Sequence, residues 1–366
     1  MAFDAGMLCA VVRECDKILC GNSQGGSKVE KIYMPDRDEI HLMLRSYNET
    51  HRFVLSASPN TARVLISETQ KENPPTPPTL CMLLRKKLTG ARLVKISQLG
   101  FERVCCIEFD TKDEMGFSSK KYLIAEIMGK HSNIIFCDGD YKILGAIRTV
   151  DATSSLVRRI IPGVKYELPP SQEKLDPTAV DKEAFLNRLS DFESSALCDK
   201  VIISAFAGIA PIVAREIVYR ATGETCTTLE KASGERLWEE FSRYFTALRD
   251  GDFYPCLLFE EGKDSAFEYS VYPILQYGGK ARQVKAESVS SLIDGFFSLR
   301  DKSDRHRQKS QDISRLLTNA RNRLERKIEL QQNELSDTSD MELCRLYGDL
   351  ISQEMYRIKR GDTFVD

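Results

Sequence analysis

Between Lys28 and Ile147 the chain is divided into short segments in which apolar and polar residues alternate: KVEKIYM, EIHLMLRSY, HRFVLSA, ARVLIS, ARLVKIS, FERVCCIEF, KYLIAEIM, NIIFCD and YKILGAI. A period of two places successive side chains on opposite faces, so such segments bury one face only as strands of a sheet. Tight connections, SYNET after the second segment and the Gly139-Asp140 pair before the last, make the sheet mainly antiparallel. Helices interrupt it twice. Met7, Leu8, Val11, Val12, Cys15, Ile18 and Leu19 recur at helical spacing and Gly21 follows as a stop. After the proline cluster NPPTPPT, LCMLLRKKL is helical, with Thr79 placed to cap it and Gly90 to end it. The glycine-rich loop GNSQGGS lacks the GKS or GKT ending and the preceding strand of a phosphate loop.

The double proline at 169 and 170 closes this α+β region. From Pro177 to about residue 290 the composition turns helical, so an all-α domain is expected there. Within it, FAGIAPIVAREIVYRATG places Gly208 at a tight turn, Pro211 at a first helical position and Gly223 at a helix end. This is the outline of a helix-hairpin-helix, although an ordinary helical hairpin has the same pattern. From about Ser298, Ile313, Leu316, Leu317, Ala320, Leu324, Ile328 and Leu335 follow three- and four-residue steps amid many arginines. LSDTSD at 335 to 340 should break that helix and cap a second one ending near Arg360. The expected organisation is therefore 1–175, a sheet domain; 176–290, a helix-hairpin-helix domain; and 291–366, a coiled-coil arm cut short.

Charge and reactive side chains narrow the function. With 52 basic and 54 acidic residues, the whole chain points to no polyanionic partner. Charge is nonetheless segregated: Asn73 to Phe101 holds no acid but contains Arg85, Lys86, Lys87, Arg92 and Lys95, either a solvated helix face or a set of RNA phosphate contacts. The eleven cysteines show no metal spacing and read as reduced thiols, pointing to a cytoplasmic protein, and no secretory signal or membrane-spanning run is present. The four histidines form no metal or triad pattern, and GxSxG, HExxH and P-loop motifs are missing. Neither catalysis nor a cofactor or metal is expected.

Two short stretches gather polar groups instead. In QLGFERV, residues 98 to 104, Glu102 and Arg103 are adjacent, so a regular strand would send them to opposite faces. If both serve one ligand, the strand must be irregular between Gly100 and Glu102. In AEIMGKHSNIIF, Glu126, Lys130, His131, Ser132 and Asn133 cluster around Gly129 between apolar strands, either a plain turn or a binding turn.

PPTPPTLCMLLRKKLTGARL, QLGFERV, YLIAEIMGKHSNIIFCD and RRIIPGVKYELPPSQEKLDP, in this order, resemble the N-terminal domain of the NFACT family over roughly the first 175 residues. The later regions resemble its helix-hairpin-helix domain and coiled-coil arm, with RLYGDLISQEMYRIKRGD similar to the returning arm; the family's RNA-binding NFACT-R domain would lie beyond Asp366. The resemblance implies a glycosylase-N-like first domain. It also implies a non-catalytic factor that binds a large ribosomal subunit obstructed by peptidyl-tRNA and recruits tRNA(Ala) for alanine tailing without mRNA. Glu102-Arg103 stands at the family's Asp-Arg pair with an acid one methylene longer. Glu126 to Asn133 matches EIMGRHSN with Lys130 for arginine, which keeps the charge and loses the planar fork. The implied tRNA contacts are Glu102, Arg103, Glu126, Lys130, His131 and Asn133.

Two other functions compete. Some family members carry fibronectin-binding labels, but a surface adhesin calls for a signal, an anchor or disulfides that this sequence does not display. A DNA-binding relative of formamidopyrimidine glycosylases would have Ala2 and Phe3 where those enzymes carry a nucleophilic proline and a glutamate.

Overall fold

The computed structural model describes residues 3–363 except 22–25, 48, 113–115, 152–157, 171–172 and 264; the side chains of 298–309, 312 and 339–340 are also not described. The glycine-rich loop, the tip of the SYNET turn, the end of the double-proline segment and the last residues of GDTFVD fall wholly or partly outside that set. The chain divides into two compact units, one up to Arg300 and one from Asp301.

The first unit opens with α1 (Ala5–Leu19), whose buried face carries Met7, Leu8, Val11, Val12, Cys15 and Leu19. Asp4 caps it by accepting the Met7 N–H at 2.7 Å. There follow β1 (Lys28–Asp36), β2 (Glu39–Ser46), β3 (Glu49–Ser56) and β4 (Arg63–Ile66), then α2 (Thr79–Leu88). Thr79 is the first residue of α2 and not its cap; Pro78 holds the cap position, with no side-chain hydrogen bond. β5 (Arg92–Gln98), β6 (Val104–Lys112), β7 (Ser118–Glu126), β8 (Asn133–Cys137) and β9 (Ile143–Ala146) complete an antiparallel sheet of order β4-β3-β2-β1-β5-β6-β7-β8-β9. β1 and β5 share one register pair, Lys28 with Arg92, so the two halves of the sheet diverge there. They meet again at Arg148, whose guanidinium donates to the Asp38 carboxylate between β1 and β2 and to the carbonyls of Ala57, Lys130 and Ser132. The core enclosed with α1 and α2 includes Ile40, Leu42, Phe53, Phe109, Leu123 and Phe136, all fully buried. Each such side chain contributes about 1.5–3 kcal/mol.

Four helices follow: α3 (Lys182–Ser190), α4 (Cys198–Ala205), α5 (Pro211–Thr222) and α6 (Gly234–Asp250). Phe185, Phe206 and Phe241 pack at ring separations of 4.7 to 5.3 Å between them. The α4–α5 hairpin has the expected punctuation. Gly208 has φ +72°, Pro211 opens α5, and Gly223 closes it in the left-handed region with its N–H on the Tyr219 carbonyl. The region is not all-α, however. β10 (Cys256–Glu260), β11 (Ala266–Ser270) and β12 (Ala281–Lys285) form a small antiparallel sheet of order β11-β10-β12. The α+β class stands, with a sheet first, helices after it and a long helix last, and with this small sheet added.

α7 runs from Val289 to Gln353. Its first turn is capped by Glu14, which accepts the Val289 and Ser290 N–H groups at 2.7 and 2.9 Å, while Asp294 accepts from the Ser67 and Thr69 hydroxyls. The second unit begins within α7. LSDTSD does not break this helix, and no second helix reaches Arg360. Without glycine or proline nothing forces an end there, and the Thr338 hydroxyl donates to the Glu334 carbonyl inside the helix. Ile313, Leu316, Leu317, Leu324, Ile328 and Leu335 are exposed along it.

Candidate nucleic-acid interface

β6 begins at Val104, so Glu102 and Arg103 lie in the β5–β6 turn and not in a strand. Gly100 turns the chain with φ +62°, and the Leu99 N–H closes the turn on the Val104 carbonyl at 3.0 Å. Strand alternation therefore no longer separates the two charges. The Gln98 side-chain amide donates to the Glu102 carbonyl at 2.8 Å and to the Ala5 carbonyl at 3.0 Å. Phe101 is buried, edge-on to Phe245 at 5.3 Å, and anchors the turn from below. Glu102 is exposed and Arg103 half-buried.

Arg103 has structured neighbours on two sides. Its carbonyl accepts the Ile127 N–H at 2.9 Å. Its positive charge also acts on buried Asp4: burial raises that carboxyl to about 6, while hydrogen bonds from the Met7 and Ala210 backbone and the Arg103 charge pull the other way. The Ala5 N–H donates to the Gly208 carbonyl at 3.1 Å, so the start of α1, the α4–α5 turn and the Glu102-Arg103 turn pack as one group.

The second expected turn lies beside the first, because Val104 pairs with Glu126 across β6 and β7. Here a short 3-10 turn, Gly129–His131, exposes Lys130 and His131. Glu126 and Asn133 point inward and are 2% and 3% exposed. Glu126 accepts from Arg158 at 2.7 Å and from the Tyr166 hydroxyl at 2.8 Å. Asn133 donates to the Arg148 carbonyl and accepts the Arg148 and Ile134 N–H groups. As placed, Glu102, Arg103, Lys130 and His131 can meet a ligand, while Glu126 and Asn133 shape the turn. Arg148, Arg158 and Tyr166, which complete this arrangement, carry no local sequence signal, since each acts through a partner distant in sequence, whereas Asp4 caps α1 locally and Gln98 reaches both nearby Glu102 and remote Ala5.

The acid-free basic run is elsewhere. Arg92 starts β5, six residues before Gln98 and thus about 20 Å along the strand. Arg85 donates to the Ile32 carbonyl at 2.8 Å and lies over the Tyr33 ring, Lys86 is exposed and Lys87 half-buried. Among the described residues no group of three or more His, Cys, Asp and Glu side chains could hold a metal, and all eleven cysteines are thiols. No helix among them is long and apolar enough to cross a membrane.

An antiparallel sheet followed by a helical hairpin and a long helix, with two polar turns side by side at one sheet end, makes this an α+β protein with a helical continuation. The family model for NFACT N-terminal and middle domains matches residues 4–366, and the chain belongs to the NFACT family. It is 30% identical over 363 residues to the Rqc2 homolog RqcH of Bacillus subtilis, covering 99% of this chain and 60% of that protein. The archaeal Rqc2 homolog aRqcH of Methanocaldococcus jannaschii is 27% identical, covering 94% of this chain and 49% of that protein. The chain thus spans about 60% of the length of the bacterial relative. Among solved structures, the N-terminal part of the fibronectin/fibrinogen-binding protein from Streptococcus suis superposes with a TM-score of 0.65 at 32% identity, covering 81% of this chain and 99% of that one.

Proposed function

We propose that this chain acts in ribosome quality control: it binds large ribosomal subunits obstructed by peptidyl-tRNA in the cytoplasm and recruits tRNA(Ala) for alanine tailing. Membership of the NFACT family supports the general reading. The observation that carries the finer one is the Glu102-Arg103 turn, held open by Gln98 beside exposed Lys130 and His131. A guanidinium there can grip a phosphate or a base edge in bidentate fashion, and the adjacent carboxylate can accept from ribose or base donors. Lys130 and His131 add contacts, and buried Glu126 and Asn133 hold their turn in shape. Arg85, Lys86, Lys87 and Arg92 serve as phosphate contacts away from this turn. The protein makes no bond itself; peptide bond formation is left to the ribosome, and neither cofactor nor metal is required.

The test is alanine tailing of a stalled reporter in cells that depend on this protein. Arg103→Ala should abolish tails while large subunits still co-purify; wild-type levels of tailing in that variant reject the assignment. The likeness to the Streptococcus suis fibronectin/fibrinogen-binding protein favours a second reading, fibronectin binding. Saturable capture of the purified chain on immobilised fibronectin, with no association with large subunits, would put that reading first.

A further inference from the structure

The sheet carries a second feature, about 20 Å from the Glu102-Arg103 turn. Residues directly paired in an antiparallel ladder face the same side. Arg45 on β2 pairs with Lys28 on β1, Lys28 with Arg92 on β5, Arg92 with Asp110 on β6, and Asp110 with Lys120 on β7. All five are exposed. At strand spacings of about 4.8 Å this is a row of roughly 19 Å, running cation, cation, cation, acid, cation. Among the described residues, the acids along the row are Asp110 within it, Glu30, which accepts from Arg45 at 3.3 Å, and Glu108, which accepts from Lys120 at 2.5 Å. Two residues beyond Arg45, Tyr47 caps the β2 end of the row. It is 83% exposed and has φ +49°, a left-handed conformation that a bulky residue seldom adopts.

We infer that the Arg45, Lys28 and Arg92 row, with Tyr47 at its end, is a second RNA-binding surface that tracks a sugar-phosphate backbone and stacks a base on the tyrosine. Cations aligned across strands beside an outward aromatic match single-stranded or looped RNA, in which phosphates need charge and unpaired bases need a flat apolar face. Exposed apolar side chains near the row are Tyr47, Val94 and Phe117, so a lipid surface is the alternative that the vesicle probe tests. The inference rests on sheet register and not on Glu102-Arg103, so it stands or falls apart from alanine tailing.

The experiment measures binding of the full chain to a fluorescein-labelled RNA stem-loop over a salt series, with phosphatidylserine-containing vesicles as a parallel probe. The variants are Lys28→Gln, Arg45→Gln and Arg92→Gln, singly and combined, and Tyr47→Ala, each checked by thermal unfolding. The triple variant should bind RNA at least about tenfold more weakly, with the slope of log affinity against log salt reduced by about 2, since each lost phosphate contact removes about 0.7 to 0.9. Tyr47→Ala should weaken RNA binding and leave the slope unchanged. Should the combined substitution fail to fold, the singles each carry the test, with slope losses just under one. Unchanged RNA affinity and slope overturn the proposal, as does a loss confined to vesicles. Because no arm uses tailing, a chain that binds RNA through this row but adds no alanine would leave this inference standing and remove the one above.

Discussion

The Gln98 side chain bridges the Glu102 carbonyl, 2.8 Å away, and the Ala5 carbonyl, 3.0 Å away, tying the turn that displays Glu102 and Arg103 to the start of α1. The side-chain amide donates to both acceptors, so Gln98→Met, similar in size with neither donor nor charge, isolates its effect. Loss of two ordinary hydrogen bonds costs about 1–3 kcal/mol. Gln98→Met should therefore keep the fold, lower thermal stability modestly and reduce tailing, with large-subunit binding retained. Equal losses of tailing and subunit binding would instead place Gln98 in a general stability role.

Much of this arrangement was legible in the sequence. Alternation located all nine strands of the large sheet, because strands that bury one face must repeat every two residues. What stayed hidden depends on partners remote in sequence. Glu126 reads locally as a polar turn residue, and only its bonds to Arg158 and Tyr166, 32 and 40 residues away, show it to be internal. The small sheet escaped notice because a strand such as ARQVK, with Val284 itself 39% exposed, has no apolar face to alternate. LSDTSD was misleading for a different reason: residues that favour caps are tolerated within a long helix when their hydroxyls bond back to its carbonyls.

Glu126 and Lys130 stand four residues apart yet should respond in opposite ways. In the Glu126–Arg158 pair the carboxylate is buried and the guanidinium half-buried, at 2% and 13% side-chain exposure. Removing one partner of a buried pair costs about 3–5 kcal/mol. Denaturant unfolding of Glu126→Ala should show a loss of that order, whereas Lys130→Ala, at an exposed site, should change stability by less than about 0.5 kcal/mol. If Glu126→Ala is as stable as wild type, its carboxylate is not the internal anchor inferred here.

Asp4 sets a pH dependence of defined sign. Burial raises its carboxyl to about 6 from an ordinary 3.8, against the hydrogen bonds of Met7 and Ala210 and the charge of Arg103. Between those values the folded chain holds a proton that the unfolded chain has released. Stability from this group is thus complete below about pH 4 and lost as pH rises through 6, by about 3 kcal/mol. Asp4→Asn keeps a capping oxygen and should flatten that window in unfolding measured from pH 4 to 7.

Glu39 should act in the opposite direction. Burial alone would raise its carboxyl, but the hydrogen bond from His41 and the charges of Lys71 and Arg63 outweigh it and hold the value near 2, below the ordinary 4.5. Its contribution is present above about pH 4.5 and lost as pH falls toward 2. Glu39→Gln should lower stability at neutral pH and reduce the difference from wild type progressively on acidification. A constant difference across that range would show that the carboxylate charge is not what Lys71 and Arg63 recognise.

The helical hairpin reaches the polar turn through Gly208. Gly208 has φ +72°, and a Cβ there would lie 2.5 Å from the Ala5 Cβ and 2.6 Å from the Phe101 carbonyl oxygen. Neither neighbour is a flexible side-chain end: Ala5 belongs to α1, and the Phe101 carbonyl is backbone adjoining Glu102. Gly208→Ala must therefore push the α4–α5 turn away from α1 or displace the Glu102-Arg103 turn. Gly163 is the control, with φ +92° and nothing within 4 Å of a Cβ, so Gly163→Ala bears only the conformational cost of about 1 kcal/mol. Thermal unfolding should show a clearly larger loss for Gly208→Ala than for Gly163→Ala. Amide exchange should rise at Glu102 and Arg103 in the first variant alone. Matching stability and exchange in the two variants would mean that the hairpin does not hold the turn in place.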